Sequence, residues 1–265
     1  MKNSKRGEEF MQKVMMVTGA VRNTGLGVAE RFLQEGYDVC ITSRKIDDAK
    51  KKAEELMASY PGRDVLGVGM DPGKIEDIQS AFAEVKAHFG RLDAFVPNAV
   101  DMANLRNTFD VTPDYWDAVM NVNVRGYFFC CQEAVKLMVD GGAIAMIGSV
   151  HAHQTITTKV CYATSKGAIL SMMHAMAIEL AHRNIRVNVV SAGAIHTERW
   201  DNQSPEETQR RRDQYPSGRE SYPKDIANAV YFLCSDQSQT ITGTELTVDS
   251  GVSVCILPYN KHWNE

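Results

Sequence analysis

Three side chains in the middle of the sequence, Ser149, Tyr162 and Lys166, have the chemistry for proton transfer. Tyr162 and Lys166 are four positions apart at the start of a segment with helical periodicity, so we expect both on one helical face. A free phenol has a pKa of about 10, but a nearby cation favours its ionised form. Tyr162 would then exchange a proton with a substrate oxygen that the Ser149 hydroxyl holds. Because Tyr-x-x-x-Lys is common by chance, this prediction depends on the rest of the chain.

A glycine-containing turn follows the first apolar run, residues 14–18. The turn begins at Gly19, and a helical pattern starts after Gly25. Glycines at such a place let the backbone amides of a helix N-terminus approach a pyrophosphate. Asn23 stands where a middle glycine is expected, and asparagine tolerates a left-handed backbone better than other non-glycine residues. We therefore expect the turn to use Gly19, Asn23 and Gly25, and not the register of Gly25 and Gly27.

The end of the second predicted strand indicates which dinucleotide fits. An Asp or Glu at this place normally accepts hydrogen bonds from the adenosine ribose of NAD. This chain has Ser43 and Arg44 there instead, and Arg22 lies in the glycine turn. Two guanidinium groups suit a 2′-phosphate, so NADP(H) is the predicted cofactor and NAD(H) is the alternative. The competing interpretation is that both arginines are ordinary surface charges.

Short apolar or β-branched runs alternate with longer helical patterns along the whole chain. Strands separated by helices of this length require right-handed crossovers. We therefore predict an α/β fold, a doubly wound parallel sheet of about seven strands with helices on both faces, in a single domain of 265 residues. The predicted strands are residues 14–18, 38–42, 65–70, 94–97, 143–147, 186–190 and 245–248, and the predicted helices are residues 25–35, 47–59, 75–89, 113–138, 161–182 and 224–235.

Along the chain, the glycine turn comes first, then Ser149, then Tyr162 and Lys166. These motifs and their order resemble those of the short-chain dehydrogenases/reductases, from about residue 14 to residue 251. The Gly19–Gly25 turn resembles the family's cofactor turn, and Asn98-Ala99 resembles its strand-end Asn-Ala-Gly motif. The resemblance implies a Rossmann-type fold and hydride transfer with a nicotinamide cofactor. It also implies that Asn123 holds a water that links Lys166 to solvent as a proton relay. The residues that resemble the family's catalytic tetrad are Asn123, Ser149, Tyr162 and Lys166.

The same resemblance implies a set of cofactor contacts. Asp71 occupies the place of the family's adenine-contacting acid. Residues 191–197 resemble its segment beside the nicotinamide, and residues 248–251 resemble its C-terminal Val-Asp-Gly-Gly. The predicted cofactor contacts are Gly19, Arg22, Asn23, Thr24, Gly25, Leu26, Ser43, Arg44, Asp71, Pro72, Asn98, Ala99, Tyr162, Lys166, Gly193, Ile195 and Thr197.

Four residues depart from the common family pattern. Asn23, Val100 and Ser250 replace glycines, and Ala192 replaces a proline. These exchanges affect the geometry of loops. None of them removes a group that transfers a proton, so the predicted reaction class is unchanged.

A long irregular stretch, residues 196–222, is predicted to be a lid that excludes water during the reaction. A short helix is expected inside it, from Ser204 to about Gln214, with residues 210–212 as its solvated face and not an anion site. For Trp200, pocket lining and plain packing are equally compatible with the sequence. Histidines are expected to line the pocket without an essential catalytic role, because the tetrad already supplies proton transfer. The predicted substrate-pocket residues are His151, His153, His196 and Trp200.

Composition excludes several other classes of protein. The formal charge of −4 is too small to imply nucleic acid as a partner, and no run approaches the roughly 20 apolar residues of a membrane span. A cytoplasmic enzyme is therefore expected. The six cysteines lack metal-ligand spacing, so buried reduced thiols are predicted and no metal site.

By resemblance, the two long helices, residues 113–138 and 161–182, are expected to pair subunits in a homotetramer or homodimer. Residues 1–13 are assigned to an N-terminal extension and residues 252–265 to an apolar tail that packs on a neighbour or closes a pocket.

The predicted function is interconversion of a secondary alcohol and a ketone by hydride transfer. The candidate substrates are hydroxysteroids, 3-oxoacyl thioesters and sugars or polyols, with a preference for a hydrophobic substrate because of the bulky loop and the apolar tail. One alternative is a nicotinamide-binding regulatory protein without turnover, which would not need a proton-transfer tyrosine. A second is an epimerase or dehydratase, but the related extended family usually carries a larger C-terminal domain.

Overall fold

The computed structural model describes residues 12–256 and residue 259, and its centre is one sheet of seven strands, all paired in parallel. The strand order is β3-β2-β1-β4-β5-β6-β7, so the direction of winding reverses between β1 and β4. In a doubly wound sheet, the ligand crevice lies at the carboxyl ends of the strands at this reversal. The predicted fold class is confirmed. The strands are Val14–Val17 (β1), Asp38–Ser43 (β2), Val65–Gly69 (β3), Leu92–Val96 (β4), Met138–Ser149 (β5), Arg186–Ala192 (β6) and Glu245–Val248 (β7).

Helices cover both faces of the sheet because successive strand residues point to opposite sides. In β1, Met15 and Val17 belong to one buried cluster, and Val14 and Met16 belong to another. Helices α1, α2 and α8 complete the first cluster, and α3, α5 and α6 complete the second. The α-helices are Asn23–Gln34 (α1), Ile46–Ser59 (α2), Ile75–Phe89 (α3), Pro113–Met120 (α4), Tyr127–Leu137 (α5), Val160–Glu179 (α6), Pro205–Arg212 (α7) and Pro223–Cys234 (α8).

The prediction of one continuous helix over residues 113–138 was wrong. A π-helical turn, Asn121–Gly126, separates α4 from α5, and Met138 already belongs to β5. The π-turn accommodates a close approach of two backbone segments. A Cβ atom on Gly126 would lie only 2.3 Å from the carbonyl oxygen of Pro72. Single-turn π-helices often occur at functional sites, and this one carries Asn123.

The 196–222 loop contains the short helix that the sequence predicted. Helix α7 is capped by Ser204, whose side chain accepts a hydrogen bond from the Glu207 amide while the Glu207 carboxylate accepts one from the Ser204 amide. The helix ends at Arg212, two residues earlier than expected. At the base of the loop, Ile195 forms a β-bridge with Ser221. Both ends of the loop are therefore joined by backbone contacts.

The sequence also led to predictions about membrane spans, the cysteines and the two ends of the chain. Among the described residues, no helix has the length and apolar character needed to cross a membrane. Five of the six cysteines are buried and Cys255 is partly exposed. Most of the predicted N-terminal extension and of the apolar tail lies outside residues 12–256. Within the described part of the tail, Val254 and Ile256 are exposed.

Candidate active site

The turn after β1 has the geometry that its glycines require. Gly19 adopts a φ of 65°, and Asn23, which replaces a glycine, adopts the left-handed region with a φ of 50°. A Cβ atom on Gly25 would lie 2.5 Å from the carbonyl oxygen of Gly19. Helix α1 begins at Asn23, so Gly25 and Gly27 lie inside its first turns and the expected register is the one present.

The N-terminus of α1 fits a phosphate group. Its N-cap residue is Arg22, which makes no side-chain capping hydrogen bond. The first amide groups of a helix have no partner inside the helix, and an anion satisfies them. The turn, with Leu26 partly exposed in α1, therefore offers backbone donors and a narrow approach of the kind a dinucleotide pyrophosphate needs.

Side chains from two neighbouring strands fix this turn. Thr42 accepts hydrogen bonds from the amides of Gly19 (to Oγ1, 3.1 Å) and Ala20 (to its carbonyl, 3.0 Å). Thr18 Oγ1 accepts hydrogen bonds from the amides of Asn98 and Ala99, both at 2.9 Å. Neither threonine was predicted as a site residue, although Thr18 directly precedes the turn. These bonds bring the carboxyl ends of β1, β2 and β4 together.

The residues predicted to hold the adenosine end lie at the same edge of the sheet. Arg22 and Arg44 are exposed, and Ser43, at the end of β2, accepts a hydrogen bond from the Lys45 amide at 3.3 Å. Asp71 follows β3, and its carboxylate accepts a hydrogen bond from the Gly73 amide at 3.0 Å. Arg22 is the N-cap residue of α1, and Arg44 directly follows β2, the strand that pairs with β1.

Ser149, Tyr162 and Lys166 come together at the carboxyl end of β5. Ser149 is the last residue of that strand, and the other two lie on α6 with all three side chains buried. Lys166 Nζ donates a hydrogen bond to the carbonyl oxygen of Ile147 at 2.8 Å and lies 5.6 Å from the centre of the Tyr162 ring. It also lies 5.4 Å from the ring of the buried Tyr127.

Burial dominates the acid-base properties of this group. It raises the pKa of Tyr162, and a hydrogen bond with Ser149 partly offsets that rise. It lowers the pKa of Lys166 to about 7. The sequence predicted that the neighbouring cation lowers the pKa of Tyr162. The pKa is raised instead, because burial disfavours the charged phenolate of Tyr162, as it disfavours the charged ammonium of Lys166. The Lys166 amine consequently titrates near neutral pH.

Asn123 is fully buried in the π-turn and is tied to its neighbours on two sides. Its Nδ2 donates hydrogen bonds to the Asp101 carbonyl oxygen at 2.8 Å and to Ser165 Oγ at 3.1 Å. Its Oδ1 accepts a hydrogen bond from the Asp101 amide at 2.8 Å. The amide thus links the segment after β4 to α6. Sequence reasoning identified neither Asp101 nor Ser165.

The two histidines after Ser149, His151 and His153, have different neighbours. The His151 ring lies 5.5 Å from that of Tyr162 in an edge-on arrangement, and its Nδ1 lies 2.9 Å from Thr155 Oγ1. Burial, with a smaller contribution from Lys159, lowers the pKa of His151. His153 instead pairs with Glu245 of the edge strand β7 at 2.7 Å. Of the two histidines, His151 lies against the Tyr162 ring, and His153 lies against the edge strand.

Lys159 was not predicted as a site residue. Its Nζ lies 5.5 Å from the centre of the Tyr162 ring and donates hydrogen bonds to the carbonyl oxygens of Met102 (3.0 Å) and Ala103 (3.2 Å). It therefore connects the loop after β4 to the start of α6. Its position three residues before Tyr162 was the available signal, since i and i+3 share a helical face.

His196 and Trp200 take part in contacts within the 196–222 loop. His196 lies between two carboxylates, with Nδ1 3.1 Å from Glu220 and Nε2 2.8 Å from Asp201. Trp200 lies with its ring 5.8 Å from the His196 ring and 4.2 Å from the Arg211 guanidinium group. These contacts lie within the loop, and His196 also lines a cavity together with Asn23 and Leu26 of α1.

The prediction of a solvated face for residues 210–212 was wrong for two of the three arginines. Arg211 Nη2 lies 2.9 Å from one oxygen of Glu220, and Arg212 Nε lies 3.2 Å from the other. Glu220 has no exposed side-chain surface. The charged run therefore surrounds a buried carboxylate, which sequence spacing alone does not reveal.

The segment after β6 packs closely on the chain that follows β7. The Gly193 amide donates a hydrogen bond to the Val248 carbonyl oxygen at 3.0 Å, and a Cβ on Gly193 would lie 2.6 Å from that of Asp249. Ser250, which replaces a glycine, adopts a left-handed φ of 63°. Beyond Gly193, Thr197 lies on the wall of a cavity of about 450 Å³ that also reaches α1 and α8.

Comparison with known proteins agrees with this architecture. A family model described as enoyl-(acyl carrier protein) reductase matches residues 19–253. The chain is 34% identical to 2-(S)-hydroxypropyl-CoM dehydrogenase 3 from Xanthobacter autotrophicus, over 91% of this chain and 96% of that protein. It is 35% identical to the 3-oxoacyl-(acyl-carrier-protein) reductase FabG from Aquifex aeolicus, over 91% of this chain and 97% of that protein.

Solved structures are similar over the same region. A short-chain dehydrogenase/reductase from Serratia marcescens is 33% identical with a TM-score of 0.84, covering 92% of this chain and 99% of that one. A short-chain dehydrogenase from Burkholderia cenocepacia in complex with NADP is 30% identical with a TM-score of 0.82 (91% and 98% covered). A 3-ketoacyl-(acyl-carrier-protein) reductase from Brucella melitensis complexed with NADH is 32% identical with a TM-score of 0.81 (91% and 98% covered).

These similarities extend over nine tenths of the chain, which includes the seven-stranded sheet and the glycine turn. The relatives named above are dehydrogenases and reductases. The chain is therefore an oxidoreductase and belongs to the short-chain dehydrogenase/reductase family.

Proposed function

We propose that this chain is an NADP(H)-dependent oxidoreductase that interconverts a ketone and a secondary alcohol with Tyr162 as the acid-base group. The observation that carries the proposal is the buried cluster of Ser149, Tyr162 and Lys166 at the carboxyl end of β5. The cluster lies at the carboxyl edge of the sheet, as does the turn that fits a pyrophosphate. Proton transfer and cofactor binding are thus available on one edge of the molecule.

Each side chain has a distinct task in this proposal. The bound nicotinamide supplies hydride in the reducing direction and accepts it in the oxidising direction. Tyr162 gives its proton to the carbonyl oxygen during reduction, and the Ser149 hydroxyl holds that oxygen in place. Lys166, with a pKa lowered to about 7 by burial, carries a proton close to neutral pH beside the ring. Asn123 keeps the π-turn and α6 together around it.

Preference for NADP(H) over NAD(H) is supported by the charges around the adenosine end. Arg22 and Arg44 are exposed near the turn, and the end of β2 carries no carboxylate to receive a ribose hydroxyl. The solved neighbours include one in complex with NADP and one with NADH, so family membership alone does not choose. The two arginines favour the phosphorylated cofactor.

A hydrophobic substrate, such as a hydroxysteroid, is favoured by three exposed apolar side chains that lie on residues 151–159, just before Tyr162, or on segments joined to those residues by hydrogen bonds. Met102 adjoins the Lys159 contact, Ile156 follows the Thr155 partner of His151, and Val254 follows Ser253, which accepts a hydrogen bond from Gln154. These three side chains are between 55% and 82% exposed. 3-Oxoacyl thioesters and sugars or polyols are the competing classes, since relatives of this chain include a 3-oxoacyl-(acyl-carrier-protein) reductase and a D-threitol dehydrogenase.

The experiment is a screen of hydrophobic ketones, 3-oxoacyl thioesters and polyols with NADPH and NADH, in the wild type and in Tyr162→Phe. We expect NADPH-dependent turnover that Tyr162→Phe lowers by about a hundredfold to ten-thousandfold while NADPH binding persists, because the variant loses only the proton-transfer group. Tyr60→Phe, on the far end of α2, is the matched control and should match the wild type. Full turnover by Tyr162→Phe would refute the mechanism.

The second candidate function is a regulatory protein that binds the nicotinamide cofactor without turnover. NADPH binding without activity on any substrate in the screen would favour it.

A homotetramer is also proposed, because α5 and α6 each present an exposed apolar side chain, Phe128 and Ile178. Light scattering would measure the assembly directly.

A further inference from the structure

The 196–222 loop is organised around one buried carboxylate, that of Glu220. Its side chain has no exposed surface, and cationic groups lie on both oxygens. Oε1 lies 2.9 Å from Arg211 and 3.1 Å from His196, and Oε2 lies 3.2 Å from Arg212. Burial by itself raises the pKa of this carboxyl, but hydrogen bonds from its own backbone and from the three partners lower it to about 2. The carboxylate is therefore charged throughout the neutral range.

Glu220 and its partners come from three separate parts of the loop. His196 stands at its start, Arg211 and Arg212 are on α7, and Glu220 itself is at its end. A backbone hydrogen bond of 2.8 Å from the His196 amide to the Ser221 carbonyl reinforces the same junction. The ion-pair cluster thus fastens the start, the middle and the end of the loop to one point.

This junction holds a segment that faces the cofactor turn. His196 and Thr197 line the 450 Å³ cavity together with Asn23 and Leu26 of α1. Ile195, on the other side of His196, is held by its bridge to Ser221. Any loosening of the Glu220 cluster therefore acts first on residues 195–197.

We propose that Glu220 is a positioning residue for cofactor binding, which holds residues 195–197 against the cofactor turn through His196 and the two arginines of α7. The inference rests on the proposed function, since it takes this turn as the nicotinamide cofactor site. Glu220 does not touch the reacting atoms. Its effect passes through the backbone of the segment that it fastens.

The test is NADPH binding, followed by the fluorescence of the nucleotide, which needs no knowledge of the substrate. Glu220→Gln removes the charge at nearly constant volume and should raise the dissociation constant about tenfold, since buried ion pairs lose their compensation when one partner is neutralised. Glu207→Gln removes the same charge from an exposed position of the same loop, and glutamine can also form the capping box. This control should bind NADPH as the wild type does.

A merely structural role predicts a different result. It would lower the number of binding sites per protein, because part of the sample would be unfolded, and leave the dissociation constant of the remaining sites unchanged. His196→Gln provides a second variant in case Glu220→Gln does not fold. It leaves Glu220 paired with both arginines and removes the imidazole contacts with Glu220 and Asp201, so it should also weaken NADPH binding severalfold.

Wild-type affinity in His196→Gln, together with wild-type affinity or loss of folding in Glu220→Gln, would overturn the inference and leave the proposed function intact. Failure of the wild type to bind NADPH or NADH would instead refute the proposed function, and the inference with it. The two failures are therefore distinguishable in one set of titrations.

Discussion

Tyr162 is surrounded by groups that act on its ionisation in opposite directions. Burial raises its pKa, the Ser149 hydrogen bond lowers it, and two lysines, Lys159 and Lys166, lie within 6 Å of its ring. A phenol that stays protonated at neutral pH is suited to give a proton to a carbonyl oxygen as that oxygen gains charge. At the scale of single residues, these properties agree with the role of proton donor that we propose for Tyr162.

The choice of cofactor also depends on single residues, and Arg44 tests it. In Arg44→Ala we expect the dissociation constant for NADPH to rise about tenfold or more, while that for NADH changes less than twofold, because only NADPH carries the 2′-phosphate. Lys51→Ala removes an exposed cation from α2 and serves as the control. Equal losses for both nucleotides would contradict the assignment of Arg44 to the 2′-phosphate.

At the scale of elements, sequence periodicity located all seven strands and most helices but not the interruption between α4 and α5. Residues 113–138 carry apolar side chains at helical spacing throughout, and a π-turn does not change that spacing enough to be noticed. At this turn Gly126 lies against Pro72, about fifty residues away in the chain, and helical spacing does not reveal such a contact. The ion pairs of His196 and Arg211 with Glu220 were not predicted either, because these residues come into contact only when the loop is folded.

The π-turn can be tested with one methyl group. A Cβ on Gly126 would lie 2.3 Å from the Pro72 carbonyl oxygen, so Gly126→Ala should lower the free energy of unfolding by about 1–3 kcal/mol. Gly167→Ala, inside α6, is the control because nothing lies within 4 Å of its added Cβ. Alanine is the better helix former, so this variant should be unchanged or more stable by up to about 1 kcal/mol. Denaturant unfolding of both variants measures the difference, and equal stability would exclude a strained approach at Gly126.

At the scale of the whole molecule, the sheet collects the functional groups at one edge. The glycine turn, Ser149 and Gly193 follow three different strands, and parallel strands bring their carboxyl ends to the same edge. This convergence was predictable from the alternation of strands and helices. The burial of Lys166 was not, because its sequence position shows a helical face and not the depth of the side chain. That burial makes the stability of the whole fold depend on pH.

The native pKa of Lys166 is lowered to about 7, whereas a lysine in the unfolded chain has a pKa of about 10.4. Between these values the unfolded state binds a proton that the native state has released, so this group makes the protein more stable as pH rises from 7 towards 10. Between pH 7 and pH 9 the gain should be about 2 kcal/mol. Lys166→Met lacks the titrating group, so its free energy of unfolding should rise less than that of the wild type by this amount. Denaturant titrations of both proteins at the two pH values check this difference, and parallel pH dependences would show that Lys166 keeps an ordinary pKa in the folded enzyme.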